Sequence, residues 1–290
     1  MIRSPRSRVA LQSALCAALL LASSMFAQTL QPPAVLDTKP VLEPKTQAFI
    51  DAATPKPTVV LVHGAFADAS SWNGVIKILE KDGYPVVAVA NPLRSVMSDA
   101  VYVSDILASI KTPVVLVGHS YGGSVISEAA NNNNNVKALV YVAAFAPEAG
   151  ETAAGLSSKF PGSTLDSTLA APVALSAGGN DLYIQQDKFP DQFAADVPEA
   201  DARLMAVTQR PITEAALNEA STDPAWKTIP SYFVYGDKDK NIPPQAHAFM
   251  ADRAHAKETI VVKGASHVVM VSHPKTVAKL IEDAAESDSW

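Results

Sequence analysis

A single serine stands between glycines in Gly118-His-Ser-Tyr-Gly-Gly123, directly after the apolar run Val114-Val-Leu-Val117. A hydroxyl gains nothing by packing there, so the position asks for chemistry. The helix-like stretch Ser120 to Ala130 follows, which makes the segment strand, sharp turn and helix, the context in which G-x-S-x-G holds a nucleophile out at the carboxyl end of a sheet. Small residues at Gly118 and Gly122 suit a turn that crowds the backbone on both sides of Ser120. A serine hydroxyl is a weak nucleophile until a base takes its proton, so a histidine and an orienting carboxylate are expected later in the chain.

Six histidines compete for the base. His267 lies in Gly264-Ala-Ser-His-Val-Val-Met-Val-Ser272, a loop after a strand-like run, at the same edge as Ser120. His273 belongs to the next helix signal, and His247 and His255 to a polar helix, so these three are expected at the surface. His119 sits inside the turn and points its ring sideways at the site, and His63 ends the first strand and braces loops. For the carboxylate, Gly236-Asp-Lys-Asp239 follows another strand; Asp239 is the choice and Asp237 the alternative. The order Ser120, Asp239, His267 is the one expected of a serine nucleophile on an open α/β sheet. A developing oxyanion needs backbone donors, expected from Tyr121 N–H, next to the serine, and Ala65 N–H, in the loop after the first strand. Phe66, His119 and Val268 are candidates for the pocket wall, and the rings of Phe66 and Tyr121 either line that pocket or pack beneath whatever covers it.

The elements that must hold these residues read as an alternation. Thr58 to His63, Tyr84 to Ala90, Val114 to Val117 and Val136 to Ala144 are β-branched runs. Between them Trp72, Val75, Ile76 and Leu79, then Val103, Leu107 and Ile110, repeat at helical spacing, with Ser70 and Ser71 available as caps. Alternation of this kind makes an α/β domain with a mostly parallel sheet and helices on both faces. The rhythm stops over 148–229 and resumes with Ser231 to Gly236, Glu258 to Lys263 and a closing helix carrying Val277, Leu280, Ile281 and Ala284. The stretch is too long for a structureless loop and is expected to be a mainly helical cap inserted after the fourth recognisable strand. Its candidate pocket or cap-core residues are Phe160, Leu182, Tyr183, Phe189, Phe193 and Met205. Asn131 to Asn135 reads as a polar turn.

The first 27 residues differ from the rest. Arg3, Arg6 and Arg8 precede an apolar run ending near Ala22, with small residues after it, the pattern of an export signal cleaved after Ser24 or Ala27. Residues 28–57 carry six prolines and read as a lead-in, leaving 58–290 as the folded domain. The one cysteine, Cys16, lies within the signal, so the exported chain would have no thiol for disulfides, nucleophilic catalysis or zinc. The apolar run is short for a membrane anchor. Without it 20 basic residues face 29 acidic ones, a formal charge of −9. No basic stripe is present, so nucleic acid is an unsuitable partner and a small neutral or apolar ligand a suitable one.

Val60-Leu-Val-His-Gly64, Gly118 to Gly123, Gly236 to Asp239 and Ser266-His267 together resemble an α/β-hydrolase over about 58–287. The resemblance implies an eight-stranded or trimmed sheet, a Ser-Asp-His triad, no cofactor, and esterase, lipase or related activity. His63-Gly-Ala-Phe66 with Trp72, Ala143 to Pro147, and Ser266 to Pro274 look most like the branch of plant methyl esterases and hydroxynitrile lyases. The lyases typically carry a lysine after the histidine. Val268 stands there, which favours ester hydrolysis, and Ser120 departs from the aspartate of epoxide hydrolases and haloalkane dehalogenases. The expected activity is a serine carboxylesterase for esters of small to medium apolar acids or alcohols, periplasmic or secreted. A cofactor-free haloperoxidase or perhydrolase, or a non-catalytic binding member of the fold, is the alternative.

Overall fold

The computed structural model describes residues 55–287. The expected export signal and almost all of the lead-in lie outside them. The continuous β-branched runs form strands, and those in the middle of the sheet are buried on both faces, as a parallel sheet requires, while its two edge strands stay partly exposed. In chain order β1 (Thr58–Val62), β2 (Val86–Val89), β3 (Val114–His119) and β4 (Val136–Val142) are joined by α1 (Asn73–Lys81), α2 (Val96–Ser109) and α3 (Tyr121–Ala129). After the insertion come β8 (Ser231–Gly236), α8 (Pro244–Arg253), β9 (Glu258–Val262), the short α9 (Val269–Ser272) and α10 (Pro274–Ala285). The six strands make one all-parallel sheet in the order β2-β1-β3-β4-β8-β9, a trimmed form of the eight expected at most.

This order dictates where a site can form. From β1 the chain crosses outward to β2, then returns past β1 to β3 and continues the other way to β4. Right-handed crossovers put helices for opposite directions of travel on opposite faces, and the packing agrees: α1 pairs with α10, and α2 with α3. The loops after neighbouring β1 and β3 therefore diverge and leave a crevice at their carboxyl ends, where open α/β sheets bind ligands. Both His63 to Phe66 and Ser120 sit at this switch point.

The insertion between β4 and β8 is mixed rather than mainly helical. It holds α4 (Ala153–Ser158), α5 (Phe189–Phe193), α6 (Glu199–Thr208) and α7 (Glu214–Asn218). It also holds a small antiparallel sheet of β5 (Val173–Ala174), β6 (Asn180–Leu182) and β7 (Ile212–Thr213). Strands of two or three residues are too short to show a period of two, so the sequence carried no sign of them. Two local details also differ from expectation. Asp68, not Ser70 or Ser71, caps the 3-10 turn before α1, its carboxylate accepting from Ser70 N–H at 2.7 Å. The asparagine run does structural work, since Asn135 Nδ2 donates to both the Leu107 and Ile110 carbonyls at 3.0 Å and so closes the end of α2.

Among the described residues no helix is long and apolar enough to cross a membrane.

Candidate active site

Ser120 sits between β3 and α3 with φ 52° and ψ −123°, a left-handed conformation that an L side chain adopts only under constraint. The constraint comes from both ends of the turn. Ser120 N–H donates to the Val142 carbonyl at 3.3 Å, and its own carbonyl accepts from Phe145 N–H at 3.1 Å and Gly123 N–H at 2.9 Å. Glycine is required where the turn meets β1: a Cβ on Gly122 would stand 2.5 Å from the Val62 carbonyl oxygen. One on Gly64 would stand 2.6 Å from Ser120 Cβ. The elbow is thus pressed against the loop after β1, and Ser120 lines the cavity beside it.

Asp239 and His267 follow β8 and β9, the last two strands of the sheet, and meet across the loop ends. His267 Nδ1 and Asp239 Oδ2 are 2.7 Å apart. Asp239 Oδ1 accepts Asn241 N–H at 2.8 Å and Ile242 N–H at 3.0 Å. Burial is the largest influence on this carboxyl and would raise its pKa. The His267 charge and the hydrogen bonds from His247 and His267 outweigh it and hold the group ionised well below the usual carboxylate range. The alternative, Asp237, points elsewhere: its Oδ1 accepts Gly264 N–H at 2.6 Å.

The His267 ring packs against His119 at 4.8 Å and Phe193 at 5.0 Å between ring centroids, and those two rings also meet each other at 6.2 Å. Its Nε2 is buried and has no hydrogen-bond partner among the described residues. Ser120 and His267 line the same cavity of about 630 Å³, which also reaches Ala65 and Tyr121. Among the described residues no hydrogen bond joins Ser120 to His267.

The other expected residues divide. Phe66 lines the cavity, as do Phe160 and Phe193. His119 and Val268 do not, which corrects their placement in the pocket wall: both are fully buried. His119 donates Nε2–H to the His267 carbonyl at 3.2 Å, and burial, then the His267 charge, keeps its pKa well below the ordinary 6.5. Tyr121 borders the cavity at the elbow while its hydroxyl donates to Asp99 Oδ2 on α2 at 3.0 Å. Backbone N–H groups of Ala65 and Tyr121 are engaged by no other backbone group among the described residues. His63 braces loops as expected: Nδ1–H donates to the Gly64 carbonyl at 3.0 Å and Nε2 accepts Asn91 N–H at 3.0 Å. Leu182, Tyr183, Phe189 and Met205 stay out of the cavity.

Two features escaped the sequence reading. Phe145, after β4, and Ser157, Ser163 and Asn218 of the insertion supply much of the wall. More consequential is His247, expected at the surface and in fact fully buried, its Nε2 3.0 Å from Asp239 Oδ2. A signal for it existed: Ala246, His247, Met250 and Ala251 form the buried stripe of α8.

Comparison with known proteins agrees with this architecture. The profile of the Alpha/beta hydrolase family matches residues 59–280. The chain is 27% identical over 252 residues to alpha/beta hydrolase nvfD of Aspergillus novofumigatus, covering 79% of this chain and 97% of that one. It is 26% identical to putative methylesterase 11, chloroplastic, of Arabidopsis thaliana, covering 78% of this chain and 63%, less than two thirds, of that relative's length. The crystal structure of polyneuridine aldehyde esterase superposes with a TM-score of 0.70 at 20% identity, covering 80% of this chain and all of that one. An all-parallel sheet with the strained serine at its switch point, matched over this span, identifies the chain as a member of the alpha/beta hydrolase family, on its esterase-like branch.

Proposed function

We propose that the chain is a serine carboxylesterase. Ser120 Oγ attacks the ester carbonyl carbon and its proton passes to His267 Nε2, while ionised Asp239 fixes the ring through Nδ1–H and stabilises the imidazolium. The carbonyl oxygen, now an anion, is received by the N–H groups of Tyr121 and Ala65. Collapse breaks the bond to the alcohol, which leaves with the proton from His267. Water, deprotonated by the same ring, then cleaves the acyl-enzyme and returns Ser120. The observation that carries the reading is the His267–Asp239 contact of 2.7 Å, with a free Nε2 at a cavity shared with the strained Ser120.

The cavity wall supports uncharged esters. Phe66, Phe145, Phe160 and Phe193 offer apolar surface, while Ser157 and Asn218 offer neutral hydrogen-bonding groups. Among the described residues no lysine or arginine lines it, so a substrate carboxylate would be desolvated without a partner. Similarity to methylesterases and to an aldehyde esterase supports ester hydrolysis in general. Export belongs to the same proposal, supported by the basic and apolar first 27 residues, and N-terminal sequencing of the protein from the periplasm or medium tests it.

Hydrolysis of p-nitrophenyl acetate and longer acyl esters by the purified protein tests the activity. Ser120→Ala is expected to lower kcat by about 10⁶-fold. Turnover that survives this substitution at the normal rate refutes the assignment.

A further inference from the structure

Asp239 Oδ2 has two imidazole partners, not one. His267 Nδ1 lies at 2.7 Å and His247 Nε2 at 3.0 Å from the same oxygen. His247 is fully buried in the first turns of α8, which two prolines start at Pro243 and Pro244, and its ring stacks on Tyr235 with centroids 4.7 Å apart. A lone pair facing a carboxylate oxygen at this distance is repelled, so Nε2 carries the hydrogen and donates it. Asp239 thereby receives four N–H groups, two backbone donors on Oδ1 and two rings on Oδ2.

We propose that His247 is a positioning residue for the reaction: by sharing Asp239 Oδ2 with His267 it sets how strongly the carboxylate orients and charges the base. This rests on the Ser120–Asp239–His267 reading above. A donor on Oδ2 drains part of the negative charge that His267 feels and fixes the carboxylate against rotation. Removing the donor leaves that charge to His267 alone and favours its protonated form. The titratable groups that face His247 are Asp239 from the loop after β8, His267 from the loop after β9, and Tyr235 at the end of β8. Burial, the largest influence, lowers the His247 pKa from its ordinary 6.5, against the Asp239 hydrogen bond and charge, which raise it.

The isosteric pair His247→Met and His247→Gln separates donation from packing, because the glutamine amide reaches where Nε2 does and the methionine sulfur donates nothing. H247M is expected to move the acid limb of kcat/KM upward by about half a pH unit or more, and H247Q to restore the wild-type limb. Equal behaviour of the two variants, or no shift in either, overturns the proposal. Proton NMR of protein carrying isotope-labelled histidine reads the contact without turnover. Two hydrogen-bonded ring N–H signals are expected in the wild type, and the His267 signal should move downfield in H247M. A His247 tautomer protonated on Nδ1 alone in the wild type overturns the proposal even if H247M does not fold. If the NMR pattern holds but no ester is cleaved, the esterase reading fails and the role of His247 on Asp239 stands.

Discussion

Replacing Asp239 by asparagine tests the site through its hydrogen-bond inventory. The carboxylate accepts four N–H groups, and an asparagine has one oxygen to offer. If that oxygen keeps Asn241 and Ile242 N–H, the amide NH₂ faces both imidazoles. His267 must then accept at Nδ1 and carry its proton on Nε2, towards Ser120, where it can no longer take the serine proton. Losing the right tautomer in a triad costs about 10⁴ in kcat, or about 5 kcal/mol of transition-state stabilisation at 1.36 kcal/mol per decade. If the amide flips, two buried backbone donors lose their acceptor at about 1–3 kcal/mol each, and the loss appears as a lower unfolding midpoint. Steady-state hydrolysis of p-nitrophenyl acetate and urea unfolding, measured on the same preparation, separate the two cases. Asp237→Asn is the control, since the Asp237 carboxylate accepts Gly264 N–H and has no bond to His267 among the described residues. An Asp239→Asn enzyme within tenfold of wild type, with unchanged stability, would refute the reasoning.

Two further outcomes concern stability. Tyr121→Phe removes the 3.0 Å bond to Asp99 that ties the elbow helix to α2, and should cost about 1–2 kcal/mol in urea unfolding. His63, His119 and His247 each have a pKa lowered by burial from the ordinary 6.5. Below about pH 6.5 the unfolded chain binds protons that the folded chain refuses, so stability should fall as pH drops through this range. The depressed Asp239 carboxyl contributes stability that is present above its ordinary 3.8 and lost as pH falls further. Unfolding midpoints measured from pH 8 down to about pH 2 check both windows, and the Asp239→Asn enzyme should lose less over the lower one, where Glu128, Glu148 and Glu151, also held below their ordinary 4.5, still contribute.

How much of this was legible depended on whether a residue's role was periodic or only spatial. Strands β1, β3 and β4 were readable because burial on both faces demands unbroken β-branched runs. Ser120 was readable because it follows β3 directly, and His267 because it stands in the short loop between β9 and α9, at the same edge of the sheet. Asp239 and Asp237 share one loop, and only the fold shows which carboxylate turns inward. His247 was misplaced because polar neighbours, Gln245 before it and His255 beyond, disguised the stripe it shares with Met250. His119 and Val268 flank the two reacting residues in sequence, yet adjacency in an elbow sends alternate side chains into the core. The insertion stayed opaque since its short strands and helices are fixed by contacts with the sheet domain, such as Arg94 bonded to Asp181 at 2.6 Å.

The most direct test of the central claim is covalent. A fluorophosphonate reacts with a serine only where a neighbouring base activates it. Intact mass spectrometry of the treated protein should show one adduct per chain, mapped to the peptide containing Ser120, absent in Ser120→Ala and slowed severely in His267→Ala. An unmodified protein, or an adduct that persists in Ser120→Ala, contradicts the account.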